Sequence, residues 1–369
     1  MIYLDNAATT APSREALKRA LAFATEYYYN PSALYSGGIS VYREIKRARE
    51  FLLSTVGGGE LIFTSGGTEA DNQAVCCAAR RGNAVTTAGE HPAVERCFNE
   101  LKGMGVEPRF APLNRDGSVN QEALLNLVDE KTTLVSVVHV NSETGAVNDI
   151  YSLAQAVKKK NPRCLFHSDG VQAFGKIPVK LTKDIDFYSI SSHKIGGLKG
   201  TGALIKRKDL NVKPHIYGGG QENNLRSGTE NVLGILSFFY AAEEKFAGLE
   251  EAAKKAKLLR EELFGLLDKS IFERLSSESG TPYILTVSAR GLRGEILQRL
   301  AEEKGIIVGT GSACSSKKPH SRILEACGYG NDILDGVLRM SFSPSTTREE
   351  IVCAAEGLNA AAREFKGRL

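Results

Sequence analysis

Chain length, composition and charge set the first limits on this protein. The chain has 369 residues, of which 42% are hydrophobic and 24% are charged, and it contains 37 glycines. These proportions are typical of a soluble α/β protein and exclude collagen-like, disordered and membrane-embedded classes. The 47 basic and 43 acidic residues give a net charge of only +4 and are spread along the whole chain, so no nucleic-acid partner is expected.

The N-terminal sequence and the cysteines indicate in which cellular compartment the protein is found. The chain starts without a basic segment followed by an apolar run, and no eighteen consecutive apolar residues occur. We therefore expect a cytoplasmic protein with no membrane partner. Seven cysteines without a C-x-x-C pair fit thiols in a reducing environment. Six of them are expected to be buried and inert, and Cys314 is the exception.

Helical and strand patterns alternate through the first two thirds of the chain. Apolar residues recur at helical spacing over residues 12–29 and 40–56, with a break at Asn30-Pro31. Short apolar runs then predict seven strands, at residues 61–64, 84–87, 106–110, 134–138, 165–167, 187–190 and 203–205. This rhythm indicates an α/β fold with a mostly parallel, seven-stranded sheet covered by helices.

The pattern changes after about Leu233. One long charged helix is predicted over residues 241–267, followed by a strand at 283–288, a helix at 295–303 and a last helix from Thr347. These elements predict a smaller α+β domain. We expect a large domain of residues 16–245 and a small domain formed by residues 1–15 and 246–369.

A glycine turn between a predicted strand and a helix is the first candidate ligand site. Ser65-Gly66-Gly67-Thr68 would present backbone N–H groups at a helix N-terminus, where a phosphate binds well, and the Thr68 hydroxyl adds a donor. A plain N-cap with a tight turn fits the same pattern. Residues 170–176 match the first part of a nucleotide-binding P-loop, but Ile177 stands where Ser or Thr must bind magnesium. No dinucleotide fingerprint occurs either.

A lysine follows another predicted strand. Lys194 comes directly after the strand at residues 187–190, and Ser191 and His193 lie beside it in the sequence. A lysine fixed at a strand end can form a Schiff base with an aldehyde cofactor, and its polar neighbours can bond a phosphate. The alternative is an ordinary surface lysine, as most lysines are.

An aspartate and a glutamine follow the neighbouring strand. Asp169 can place a negative charge against the ring nitrogen of pyridoxal phosphate, because a protonated pyridinium is the electron sink of that cofactor. Gln172 can meet the ring hydroxyl. A turn or helix cap is the alternative for Asp169.

Together these motifs resemble the cysteine desulfurases, the NifS/IscS-like members of the class V aminotransferases, over nearly the whole chain. The resemblance is carried, in chain order, by Leu4-Asp5-Asn6-Ala7-Ala8-Thr9-Thr10, Thr64-Ser65-Gly66-Gly67-Thr68-Glu69, Glu90-His91, His139-Val140-Asn141, Asp169 with Gln172, Ser192-His193-Lys194, Arg226-Ser227-Gly228-Thr229 and Gly311-Ser312-Ala313-Cys314. It implies an aspartate-aminotransferase-like fold, fold type I of the pyridoxal-phosphate enzymes. It also implies pyridoxal 5'-phosphate as the cofactor, L-cysteine as the substrate and no metal site.

The resemblance also assigns roles to individual residues. The implied cofactor-binding residues are Gly67, Thr68, His91, Asp169, Gln172, Ser191, His193 and Lys194, with Thr229 reaching the phosphate of the partner subunit. A homodimer with shared active sites follows from that last role. Asn141 and Arg339 are assigned to the substrate carboxylate, which suits the fork of an arginine. Without the other motifs, His91 would fit a capping or core histidine, Asn141 a turn residue and Arg339 a surface ion pair.

Cys314 lies in a stretch that cannot bury itself. Residues 309–319 contain nothing large or apolar, so we expect a surface loop, at about residues 310–320, that exposes the thiol. Lys317 and Lys318 would favour the nucleophilic thiolate.

The reaction implied by the resemblance converts L-cysteine to L-alanine. Lys194 would remove the α-proton, Cys314 would attack the substrate sulfur and keep it as a persulfide, and His91 would carry a proton. The sulfur would then pass to an acceptor or scaffold protein. Its destination would be iron–sulfur cluster assembly, transfer-RNA thiolation or the synthesis of another sulfur-containing cofactor. The chain stops soon after its last helix, in the region that relatives use to dock scaffold proteins. The identity of a scaffold partner therefore stays open. The alternatives are a selenocysteine lyase, a class V aminotransferase with another reaction, and a catalytically silent dimeric scaffold.

Overall fold

The computed structural model describes residues 1–310 and 320–367. The strands are β1 (Ile2–Tyr3), β2 (Glu60–Thr64), β3 (Gly82–Thr87), β4 (Val106–Ala111), β5 (Thr132–Ser136), β6 (Leu165–Asp169), β7 (Phe187–Ser191), β8 (Gly202–Lys206), β9 (Phe272–Arg274), β10 (Ile284–Ala289), β11 (Ile306–Ile307) and β12 (Val337–Ser341). The helices are α1 (Arg14–Glu26), α2 (Ser36–Ser54), α3 (Gly67–Ala78), α4 (Pro92–Glu100), α5 (Gln121–Leu127), α6 (Ile150–Lys160), α7 (Gln221–Asn224), α8 (Val232–Ala247), α9 (Leu249–Leu266), α10 (Gly294–Glu303), α11 (Arg322–Ala326), α12 (Asn331–Leu334) and α13 (Arg348–Lys366), with short 3-10 helices at Leu101–Met104 and Ser192–Lys194. None of the helices in the described part of the chain combines the length and the apolar composition that crossing a bilayer requires.

The seven predicted strands form one sheet, in the order β2-β8-β7-β6-β5-β3-β4. Strands β3 to β7 pair in parallel, and β8 runs antiparallel to both β2 and β7. The prediction of a mostly parallel α/β sheet is therefore confirmed. Parallel pairing brings the carboxyl ends of β6 and β7 to the same edge, which is where ligands bind in such sheets.

The C-terminal third of the chain forms a second layer with its own core. Strands β12, β10 and β9 make an antiparallel sheet, and α9, α10 and α13 contribute buried side chains to the same hydrophobic cluster. The N-terminus joins this cluster, because β1 pairs in parallel with β11 and Leu4 is fully buried there. The division at residues 15 and 245 stays a prediction.

The single helix predicted over residues 241–267 is two helices, α8 and α9, separated at Gly248. Gly248 adopts φ −133° and ψ 26°, which is not helical. Residues of α8 such as Ala241 belong to the core under the large sheet, whereas Ala256 of α9 belongs to the second core. The chain passes from one core to the other at the glycine. The charged pattern hid this break because both helices carry charged residues.

The expectation that six cysteines are buried is wrong for three of them. Cys97, Cys164 and Cys327 are buried, but Cys353 is exposed. The remaining two, Cys76 and Cys77, are partly exposed. Cys353 lies on α13, whose apolar face packs on the second core, and it occupies the opposite, solvent-facing side of that helix.

Candidate active site

A cavity of about 390 Å³ opens at the carboxyl edge of the large sheet. It lies where β6 and β7 end, and residues of the second layer close it from the other side. Nine of the predicted site residues line it: Gly67, Thr68, His91, Asp169, Gln172, Ser191, His193, Lys194 and Arg339. A volume of this size is within the range of small-molecule and cofactor sites.

Lys194 ends the 3-10 helix that follows β7. Its Nζ donates to the carbonyl oxygens of Ala7 (2.7 Å) and Ala8 (2.8 Å). The N-terminal segment is held there because the backbone N–H of Thr10 and its hydroxyl both donate to the carbonyl of His193, at 3.0 and 2.9 Å. The lysine amine is thus directed along one wall of the cavity.

Asp169 is the last residue of β6 and is buried. Its Oδ1 accepts a hydrogen bond from the backbone N–H of Val171 at 2.9 Å. Burial raises the pKa of Asp169, while His91, the Val171 N–H and Lys194 act in the opposite direction. A buried carboxylate at a cavity wall is stabilised by a cation, so the position favours a ligand that brings one.

His91 is both a helix cap and a cavity residue. It is the N-cap of α4, where its Nδ1 accepts from the Ala93 N–H at 3.1 Å. Because Nδ1 is an acceptor, the proton of the neutral ring is on Nε2. Burial lowers the pKa of His91, and Lys194 and Arg322 lower it further against the opposing effect of Asp169. The capping alternative is therefore correct without excluding a role in chemistry.

The start of α3 and the end of β7 form a polar corner of the cavity. Helix α3 begins at Gly67, and a side chain at that position would come within 2.7 Å of Val171. The buried Ser191 Oγ has no hydrogen-bond partner within residues 1–310 and 320–367. His193 Nδ1 lies 3.1 Å from the Thr9 hydroxyl, and burial lowers its pKa to about 4. A helix N-terminus with an unused hydroxyl beside it suits a phosphate.

Arg339 lines the cavity from β12. Its guanidinium donates to Asp5 Oδ1 at 2.7 Å and to the Ser142 carbonyl at 2.9 Å. The buried Nε has no acceptor in the described part of the chain. Two of the hydrogen bonds thus fix the plane of the fork, and a donor remains for an anionic group.

Two predicted site residues within the described part of the chain, Asn141 and Thr229, do not line this cavity. Asn141 is fully buried, and its side chain holds a turn by donating to Gly89 and accepting from the N–H groups of Glu143 and Thr144. Thr229 lines a separate cavity of about 130 Å³. Cys314 lies outside the described residues. The roles of all three stay predictions.

Three further charged residues of the cavity are not predicted from the sequence motifs. Glu143 and Arg322 line it, and so does Asp71, one turn along α3 from Thr68. Glu143 is partly buried and accepts from the Ser321 hydroxyl, and desolvation raises its pKa. Arg322 donates to the carbonyls of Ala88 (2.5 Å) and Glu90 (2.7 Å). Only Asp71 carried a local signal, since it follows Thr68 at helical spacing on the same face.

Comparison with known proteins identifies the family of this fold and site. The profile of the class-V aminotransferases matches residues 2–353. The chain belongs to the class-V aminotransferase family. Members of this family, including its cysteine desulfurases, depend on pyridoxal phosphate.

Individual class-V relatives are similar over almost their whole length. A cysteine desulfurase named IscS from Methanosarcina thermophila is 35% identical over 361 residues, which cover 95% of this chain and 89% of the relative. A cysteine desulfurase from Trichormus azollae is 34% identical over 362 residues, or 95% of this chain and 90% of the relative.

Solved structures confirm the fold type. A NifS-like protein superposes with a TM-score of 0.92 at 34% identity, covering 99% of both chains. A NifS-like protein from Rickettsia africae gives a TM-score of 0.89 at 29% identity, covering 98% of this chain and 99% of the other. The class-V chain described here therefore has the aspartate-aminotransferase-like fold expected from its motifs.

Proposed function

We propose that this protein is a pyridoxal-phosphate-dependent cysteine desulfurase, which converts L-cysteine to L-alanine and keeps the sulfur as a persulfide on Cys314. One observation carries the proposal: Lys194 and Asp169, from the ends of adjacent parallel strands, line the same cavity as Arg339. The relatives named cysteine desulfurase support the choice of substrate.

The residues present fit the cofactor. The buried Asp169 carboxylate, whose pKa is raised by burial, is matched by a protonated ring nitrogen. The unused Ser191 hydroxyl and the N-terminus of α3 suit its phosphate, together with Thr68 and His193. Gln172 lines the same cavity and suits the ring oxygen.

Bound pyridoxal phosphate supplies an aldehyde for the substrate amine and a protonated ring that delocalises the negative charge left at the α-carbon. Asp169 holds the proton on the ring nitrogen. The Nζ of Lys194 would hold the aldehyde end of the cofactor and would accept the α-proton of the bound substrate. The guanidinium of Arg339 orients the substrate carboxylate.

Cys314 receives the sulfur. Its thiolate attacks the substrate sulfur, and the bond between the substrate's β-carbon and sulfur breaks as the new S–S bond forms. His91 lines the cavity, and its Nε2 would donate a proton to the remaining three-carbon skeleton, which leaves as alanine after protonation at both carbons.

The proposal includes partners and a location. Thr229 and Arg226 line the separate cavity of about 130 Å³, which supports a second subunit that completes its site there. A sulfur acceptor or scaffold protein takes the persulfide, and we propose a cytoplasmic enzyme. The two hydrophobic cores support the division into residues 16–245 and residues 1–15 with 246–369.

The deciding experiment follows the sulfur. Purified, cofactor-loaded protein is incubated with cysteine, and the Cys314 peptide is analysed by mass spectrometry while alanine is measured in the solution. We expect one added sulfur atom on that peptide and alanine in equal amount. Alanine without sulfur on Cys314, or neither product, would overturn the proposal.

Replacement of Cys314 by Ser separates the alternatives. Loss of sulfide release from cysteine with retained cofactor supports a desulfurase that needs the thiol. Unchanged turnover of selenocysteine or of an amino donor would support the selenocysteine lyase or another class-V aminotransferase. A protein that stays colourless with added cofactor would support the silent scaffold.

A further inference from the structure

A buried lysine outside the predicted site lies behind the cofactor pocket. Lys176 is 8% exposed, in the turn that follows β6. Its Nζ donates to Gln172 Oε1 at 2.6 Å. Burial lowers the pKa of Lys176 well below its usual value, and the charges of Lys194, Lys245 and Arg339 lower it further. A lysine kept at such a position at this cost calls for a role.

The amide of Gln172 is oriented from both ends. The Lys176 amine donates to the amide oxygen of Gln172, and in its protonated form it could bond to no other atom of that amide. On the other side, the amide nitrogen donates to the Ala7 carbonyl at 2.8 Å, and a carbonyl only accepts. Both neighbours therefore select the same orientation, which places the NH2 group of Gln172 toward the Ala7 side.

The same carbonyl connects the amide with the lysine of the site. Ala7 O accepts from Gln172 Nε2 and from Lys194 Nζ at 2.7 Å. The NH2 group of Gln172 therefore lies beside the amine that would hold the cofactor. It has a second N–H, and Gln172 lines the cavity while Lys176 does not.

We propose that Lys176 is a positioning residue, which holds the Gln172 amide so that an N–H, and not an oxygen, faces the ring oxygen of the cofactor. This inference rests on the proposed function, because that ring oxygen belongs to pyridoxal phosphate. Without Lys176, the buried Gln172 oxygen loses its donor, and the amide can rotate to bring that oxygen toward water in the cavity. An acceptor then replaces the donor at the ring oxygen.

The observable is the pH midpoint at which the visible absorbance of the loaded protein changes. An N–H bonded to the ring oxygen stabilises its negative charge. When that bond is lost, the oxygen retains the proton shared with the Lys194 nitrogen more strongly, so a higher pH is needed to remove it. We expect Lys176→Met and Gln172→Leu each to raise the midpoint by about one pH unit, the size of one hydrogen bond made to one protonation state.

The double variant distinguishes positioning from charge. If Lys176 acts through Gln172, Lys176→Met adds no further shift in the Gln172→Leu background. A shift that adds fully in the double variant would mean that Lys176 acts directly by its charge on Lys194, and this would overturn the proposal. So would an unchanged midpoint in Lys176→Met. The matched control is Lys180→Met, since Lys180 is exposed and lies four residues further along the chain.

A second variant covers the case in which Lys176→Met does not fold or load. Gln172→Glu leaves Lys176 an oxygen to bond but gives the cavity an acceptor, so the midpoint should rise. An unchanged midpoint in Gln172→Glu contradicts the proposal. Wild-type protein is tested alongside by borohydride reduction and peptide mass. No adduct on Lys194 would count against the proposed function, whereas a loaded wild type with unshifted variants counts against Lys176 alone.

Discussion

The two sides of the cavity are held together in different ways. The lysine side, defined as Asp169, Gln172, Ser191 and Lys194, is built on the ends of β6 and β7 and the turns that follow them. Those strands are paired by backbone hydrogen bonds within one sheet. The backbone pairing therefore sets where the two strand ends lie.

The arginine side, defined as Glu143, Ser321, Arg322 and Arg339, is assembled across the two layers of the molecule. Arg339 reaches Ser142, Ser321 bonds Glu143, and Arg322 reaches the segment that leads to His91. Each link is a side-chain hydrogen bond to a residue more than 170 positions away. Such bonds contribute about 1.5 to 3 kcal/mol when one partner is charged.

Under the proposed function, the cofactor is held mainly on the lysine side and the substrate carboxylate on the arginine side. A change on the arginine side should alter the geometry for the substrate and leave the cofactor in place. A change on the lysine side should affect the cofactor first.

The largest effect is expected for Lys194→Ala. Turnover of cysteine should fall by about 10³-fold or more, because both the covalent attachment and the α-proton base are lost. Borohydride reduction should then leave no cofactor on the peptide of residue 194. Lys199→Ala, at an exposed lysine nearby, is the control and should behave as wild type. Turnover within tenfold of wild type in Lys194→Ala would break the assignment of the lysine side.

Arg339→Lys should produce the next largest loss. Lysine keeps the charge beside Asp5 but removes the planar fork and the unused Nε, so kcat/KM for cysteine should fall about 100-fold, mainly through KM. Cofactor affinity, measured by titrating the absorbance, should stay within twofold. The control is Arg348→Lys, an exposed arginine paired with Glu262. A loss of cofactor equal to the loss of substrate affinity would contradict the separation of the two sides.

Arg322→Ala is expected to lower kcat about tenfold. Two charged hydrogen bonds to the carbonyls of Ala88 and Glu90 disappear, and the segment leading to His91 loses its link to α11. Cofactor affinity should again be unchanged. Arg115→Ala is the matched control, because Arg115 is exposed and approaches the Gly328 carbonyl only at 3.5 Å. Wild-type turnover in Arg322→Ala would show that the link has no mechanical role.

The same difference explains what the sequence predicts well. Asp169 and Lys194 can be predicted because each follows an apolar run, and adjacent parallel strands end at one edge. The contact of Glu143 with Ser321 joins residues 178 positions apart, so no local spacing reveals it. The sequence gives no sign of a role for Lys176, because a lysine is expected at the surface and only the packing shows that it is buried.

Glu90 lies where the two sides meet, and it offers a smaller test through stability. It precedes His91, and its Oε1 accepts from the Thr87 hydroxyl at 2.7 Å and from the Val138 N–H at 2.9 Å. Burial raises the pKa of Glu90 to about 8, with Asp169 raising it and Arg322 lowering it. In the folded protein this side chain is therefore protonated at neutral pH, whereas in the unfolded chain it is ionised above about 4.3.

The raised pKa of Glu90 determines how the free energy of unfolding changes with pH. When the pKa of a carboxyl group is higher in the folded state than in the unfolded state, its contribution to stability is complete at pH values below the unfolded-state pKa. That contribution is lost as the pH rises through the folded-state pKa. Between pH 6 and 7, wild-type protein should lose about 1 kcal/mol of unfolding free energy relative to Glu90→Gln, whose side chain does not titrate. Denaturant unfolding of both proteins at each pH measures this, and taking the difference cancels the other titrating groups.

Adding Arg322→Ala should extend the loss to higher pH, because the nearby cation that favours ionisation is gone. Parallel pH profiles of wild type and Glu90→Gln would mean that Glu90 is ionised in the fold, and Arg322 would then be its counter-ion rather than a link between the layers.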